Sequence, residues 1–118
     1  MIMVDMNKLY WNSISYSKFF DNASKYWVDD SETNLMFLRD TQKQFNEQLK
    51  SDGYLFLNDV YIALGIPRTK AGQVVGWVYN EKSTVDFGIY EDDEAILLKF
   101  NVDGNILGRI PDDRLPVV

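Results

Sequence analysis

The chain reads as an α+β domain, with N-terminal helices packed on a C-terminal three- or four-stranded antiparallel β meander. Three observations lead there. Apolar residues recur at helical spacing as far as Gly53, they alternate from Gln73 onward, and the alternating runs are joined by short loops. A parallel sheet needs a helix between successive strands, and those loops leave no room for one. A single domain over residues 1–118 is expected: a helical part at 1–53, a short helix and turn at 54–72, the meander at 73–110 and a tail at 111–118.

The first helix is expected over roughly Ser15 to Val28. Tyr16, Phe19, Phe20, Ala23, Tyr26 and Trp27 fall at i, i+3, i+4, i+7, with Ser17, Lys18, Asp21, Asn22 and Lys25 opposite. Core packing is the favoured role of that aromatic stripe, and a partner-binding face that includes Trp11 and Trp27 is the sharper one. A second helix follows "DDSETN", with Asp30 or Ser31 as N-cap and Glu32 at the positive end of the helix dipole. Leu35, Leu38, Gln42, Phe45 and Leu49 make its narrow stripe, suited to core packing more than to a coiled coil, and Gly53 ends it.

"NDVYIALGIP" reads as a short helix capped by Asn58, with Val60, Tyr61 and Leu64 inward, Gly65 just past its end and Pro67 forbidding continuation. "QVVGWVYN" and "TVDFGIY" read as two strands of a hairpin across "NEKS", with Val75, Trp77 and Tyr79 on one face and Val85, Phe87 and Ile89 together. "AILLKFNV" is a third strand, with Ile96, Leu98, Phe100 and Val102 on one side. Asp103 and Gly104 suit a tight hairpin turn into a short fourth strand at "NILGRI", and the two-proline tail suits a poorly ordered end or an edge cap.

Composition narrows the chemistry. With 46% hydrophobic residues and no cysteine or histidine, the chain has ample core but no disulfide, no thiolate, no imidazole base and no Cys or His metal ligand. A net charge of -6 disfavours direct contact with nucleic acid or an anionic membrane. No apolar run is long enough to span a bilayer, and "MIMVDMNKLYWNS" lacks a basic n-region and a small-residue cleavage site, so a soluble, cytoplasmic protein is expected.

Two stretches invite a site. "GIPRTKAG" has the wrong spacing for a phosphate loop and the reverse order of strand and helix, which leaves Arg68 and Lys70 as a solvated turn or a hold on an acidic partner. "YEDDEA" gathers Glu91, Asp92, Asp93 and Glu94, yet four consecutive acids diverge and lack the spacing of a calcium loop, so a solvated hairpin is favoured over a metal site. No pair of carboxylates is singled out for acid–base work, and no nucleophile elbow is present. An enzyme is therefore not expected, and neither is a cofactor.

From Gly53 to Ile110, through "LGIPRTKAGQVVGW" and "FNVDGNIL", the chain resembles a family of small uncharacterised proteins encoded in phages, prophages and mobile elements of Gram-positive bacteria. What looks like its signature is Leu64, Gly65, Pro67, Gly76 and Trp77, joined by the Asp103–Gly104 turn, all with structural explanations. The resemblance implies an accessory or structural role in the host cytoplasm or with the virion, and brings no catalytic residue. The leading functional expectation is a protein-binding module that assembles with itself or with a virion or host protein. The alternative is an acidic inhibitor of a host nucleic-acid enzyme or defence nuclease, acting through Asp29 to Glu32, Glu91 to Glu94, and Asp112 with Asp113. A small hydrolase ranks third.

Overall fold

The computed structural model describes residues 16–92 and 94–110. Trp11, Asp93, the start of the first expected helix and the 111–118 tail with Asp112 and Asp113 lie outside the described residues. The fold is α+β, with two helices and two antiparallel sheets of three strands each among the described residues. In order these are β1 (Ser17–Phe20), α1 (Ser31–Asp52), β2 (Tyr54–Phe56), α2 (Leu57–Leu64), β3 (Val75–Val78), β4 (Tyr90–Asp92), β5 (Ala95–Lys99) and β6 (Gly104–Asn105). One sheet runs β1-β5-β4 and the other β2-β3-β6, so the strands do not form the expected simple meander.

The helix expected at Ser15–Val28 is absent: β1 occupies Ser17–Phe20 and tight turns follow it. The polar side chains decide this. Asp21 Oδ1 accepts from the Ala23 amide, Ser24 Oγ from the Asp21 amide, and the Asp21 carbonyl from the Ser24 amide, so local turns take the groups that a helix would use. Strand alternation then separates Phe19 from Phe20. Phe20 is fully buried whereas Phe19 is 56% exposed, although a helix would have put both on one stripe.

Helix α1 meets its expectation at both ends. Asp30 is the N-cap and accepts from the Thr33 amide, and Gly53 closes the helix in the left-handed conformation with its amide on the Leu49 carbonyl. Leu38, Phe45 and Leu49 enter the core with Asn34 and Thr41, while Leu35 is half-buried. In α2, Val60, Tyr61 and Leu64 point inward and Gly65 stops the helix at φ 71°. Its N-cap is Phe56 rather than Asn58, because α2 starts at Leu57, directly after a strand that the sequence reading missed. Asn58 is thereby free to hold another segment.

Strand β3 is central, with β2 on one side (Leu55 opposite Trp77) and β6 on the other (Gly76 opposite Gly104). Both of its edges are therefore taken, and "TVDFGIY" cannot form the expected hairpin with it. The turn at Asn80–Ser83 does form, through Ser83 and Asn80, but residues 83–89 belong to no strand, although the Phe87 and Asp86 carbonyls accept from the Lys99 and Asn101 amides. Val85 and Phe87 nevertheless alternate into the core. Asp103–Gly104 is likewise no hairpin between β5 and β6: it carries the chain from the first sheet to the second, where the Asp103 amide reaches the Gly76 carbonyl and Asp103 Oδ2 accepts from the Val78 amide. "NILGRI" contributes only the start of its length to β6 and then a 3-10 turn at Leu107–Arg109.

Candidate protein-binding surface

Three asparagines on the helices set the loops in place. Asn34 Oδ1 accepts from the Val28 amide while its Nδ2 donates to the Val28 carbonyl, at 3.1 and 2.7 Å. Asn46 treats Val85 the same way at 2.7 and 3.0 Å, and Asn58 treats Thr69 the same way at 2.9 and 2.9 Å. A carboxamide carries one donor group and one acceptor, so it can stand in for the peptide of a neighbouring strand. Gln42 adds a fourth such contact, accepting from the Phe87 amide. These clamps hold segments that belong to no strand, and the 83–89 segment also takes the Lys99 amide of β5 on its Phe87 carbonyl.

Asn58 organises the turn that carries Arg68 and Lys70. Thr69 Oγ1 accepts from the Gly72 amide, and a Cβ at Gly72 would lie 2.1 Å from Asn58 Oδ1, so the turn is packed tightly against α2. Arg68 and Lys70 are exposed on it and line one open groove with Asn58, Pro67, Thr69 and Gln73, a concavity of about 800 Å³. A second concavity shares Pro67, Arg68 and Thr69 with it and is closed on the far side by Lys18, Phe19 and Asp21. The two adjoin along Pro67, Arg68 and Thr69, and the second lies between β1 and the turn.

The acidic residues gather elsewhere. Trp27, Asp29, Asp30, Glu91 and Asp92 line a common concavity beside Ile96, so two acidic stretches that are distant in sequence meet across α1 and the β4–β5 hairpin. Glu94 is exposed on the same hairpin. Trp27 is half-buried, its ring 5.6 Å from Phe20, and so serves as a wall of the core more than as a free anchor. Among the described residues no three Asp, Glu, His or Cys side chains converge as a metal site, and no helix is long and apolar enough to cross a membrane.

Sequence reading missed the most exposed apolar feature. Phe19 lies opposite Leu97 across β1 and β5, and Tyr90 lies opposite Leu97 across β4 and β5. Cross-strand neighbours sit about 5 Å apart, so Phe19, Leu97 and Tyr90 form one apolar row over the outer face of the sheet. Phe19 is 56% and Tyr90 66% exposed, and Leu97 is half-buried between them. The signal was the alternation in "AILLKFNV", whose second face, Ala95, Leu97 and Lys99, is more apolar than a solvent face requires.

The signature residues sit in the framework. Gly65 ends α2, and Trp77, 1% exposed, donates its indole N–H to Asn101 Oδ1 at 2.9 Å. Gly76 lets β2 approach so closely that a Cβ there would lie 1.9 Å from the Leu55 carbonyl oxygen. Only Pro67 lines the groove. The hydroxyl of fully buried Tyr61 has no hydrogen-bond partner among the described residues, and burial, helped by the nearby Tyr16, pushes its pKa up to about 12.

No curated protein and no solved structure matches this chain. A family does match, over residues 2–110, which extends well beyond Gly53–Ile110 into the aromatic N-terminal part; the chain belongs to that family, DUF6353, a family of unknown function.

Proposed function

We propose that this chain is a non-enzymatic protein–protein interaction module, of phage or mobile-element origin, acting in the host cytoplasm or on the virion. The observation that carries the reading is the Phe19–Leu97–Tyr90 row. Water-exposed aromatics in contiguous rows are rare on surfaces that stay free and common at the centre of protein interfaces. Strands β1 and β4 lie either side of β5, so the row crosses all three described strands of the sheet. The origin rests on the family resemblance of the "LGIPRTKAGQVVGW" region alone.

The test is capture of a partner from host and phage-infected lysates by the full chain and by Tyr90→Ser. The reading expects one partner that survives high salt, because an apolar contact is little screened, and at least a tenfold loss with Tyr90→Ser at unchanged melting temperature. Equal capture by the variant, or capture of nothing, overturns it.

One observation favours a second reading, the acidic inhibitor of a host nucleic-acid enzyme. Asp29, Asp30, Glu91 and Asp92 share a concavity, the kind of concentrated negative field that a phosphate-binding groove attracts. On this reading the captured partner is basic and is released at high salt, and neutralising those four carboxylates abolishes capture while Tyr90→Ser does not.

A further inference from the structure

We propose that the groove between β1 and the Pro67–Lys70 turn binds a short, extended, acidic peptide of a protein partner; this rests on the protein-binding reading and names the chemistry one part of the partner must have. The groove gathers cations on a chain whose net charge is -6. Lys18 stands on one wall and Arg68 on the other, with Lys70 in the adjoining concavity that Arg68 also lines. Arg68 and Lys70 pair with no carboxylate among the described residues. Lys18 is half-buried, and its ammonium lies 5.6 Å from the centre of the Tyr61 ring.

The cations are held on prepared backbone. Asn58, only 8% exposed, fixes both peptide groups of Thr69 between Arg68 and Lys70, so little loop entropy is lost when a ligand is gripped. Apolar groups alternate with the charges: Phe19 and Pro67 face the cleft and Ile66 lines its floor. A ligand with alternating carboxylates and apolar side chains matches that lining, and an extended strand has this period.

Two observations turn the choice away from nucleic acid. Asp21 lies in the same cleft, where its carboxylate opposes an unbroken run of phosphates, whereas a peptide can present an uncharged residue to it. The acidic concavity around Asp29 and Glu91 opposes any long polyanion, whereas screening beyond about 8–10 Å leaves a peptide of a few residues under the local cations alone.

The experiment is fluorescence anisotropy with the full chain and a labelled peptide of alternating Glu and Leu, against the same peptide with Gln for Glu and a single-stranded oligonucleotide of equal charge. Saturable binding of the Glu peptide is expected. Binding of the Gln peptide should be at least about tenfold weaker, high salt should weaken the Glu peptide by a similar factor, and Arg68→Glu/Lys70→Glu should remove binding without lowering the melting temperature. Asn58→Ser, which loosens the turn and leaves both cations, should weaken binding by a smaller factor. Equal binding of the Gln peptide, equal or tighter binding of the oligonucleotide, or full binding by Arg68→Glu/Lys70→Glu overturns the proposal. Tyr90→Ser separates the two readings, since Tyr90 lies outside the groove: if it abolishes lysate capture while the Glu peptide never binds, the groove proposal fails and the apolar row stands.

Discussion

The two sheets share a strand count and differ in what their apolar residues face. In β2-β3-β6, Leu55, Val75 and Trp77 are all nearly inaccessible, and Gly76 exists so that neighbouring backbone can touch it. In β1-β5-β4, Phe20, Ile96 and Leu98 are buried, but the opposite face carries Phe19, Leu97 and Tyr90 toward solvent. The same residue types thus stabilise the fold in one sheet and stand exposed in the other. Apolar character alone does not separate core from surface; the number of covered faces does.

The comparison breaks most visibly at Gly76. Gly76→Ala puts a Cβ against the Leu55 backbone, which cannot yield as a side chain can, so a loss of about 4 kcal/mol or failure to fold is expected by denaturant titration. Next is the 83–89 segment, which belongs to no strand. Asn46→Ala leaves both backbone groups of the fully buried Val85 without their partner and should cost about 2–4 kcal/mol, whereas Asn46→Asp should recover only the amide contact.

A third effect depends on pH. The Tyr61 hydroxyl titrates at 10.0 in an unfolded chain and near 12 here, so the folded state holds this proton more tightly than the unfolded one. This group leaves stability unchanged below pH 10, and stability falls by up to about 3 kcal/mol as pH rises from 10 through 12 and ionisation favours the unfolded chain. Tyr61→Phe should flatten that part of the stability profile. At neutral pH it should cost almost nothing, because the hydroxyl meets no partner among the described residues. The smallest change belongs to the exposed row: Tyr90→Ser should shift stability by under about 0.5 kcal/mol in thermal unfolding. A larger loss would mean that Tyr90 belongs to the core and the comparison between sheets is misdrawn.

Much of this was legible before any coordinates. Helix α1 announced itself through Asp30, Glu32 and Gly53, and α2 through Gly65 and Pro67, because caps and stops act within one turn of chain. The inward alternation of Val85, Phe87, Ile96 and Leu98 also held, since burial needs only the right face. Pairing was harder. "TVDFGIY" carries a strand pattern, yet β3 had already spent its edges on β2 and β6, and competition for an edge is decided by residues far away in sequence. The region from Tyr16 to Trp27 misled for a related reason: aromatics at helical spacing also fit a short strand followed by turns, and Asp21 and Ser24 tip the balance.

The surface was the least legible part. Arg68 and Lys70 were recognisable as a pair, but their wall of Lys18 and Phe19 comes from a strand about fifty residues earlier in a chain that was read there as helix. The clamping asparagines gave no warning either, because Asn46 and Val85 are 39 residues apart and an isolated Asn on a helix reads as solvent-facing. Glu91 and Asp92 met Asp29 and Asp30 only through the packing of β4–β5 against the start of α1.

The most direct test of the central claim is amide hydrogen exchange of the chain free and in complex with its captured partner. The account predicts slowed exchange confined to β1 and to the β4–β5 hairpin, with Leu55 and Val75–Val78 unchanged because they are already enclosed. Protection that instead falls on the exposed face of α1 around Met36 and Arg39, with none at Phe19 or Tyr90, would contradict it.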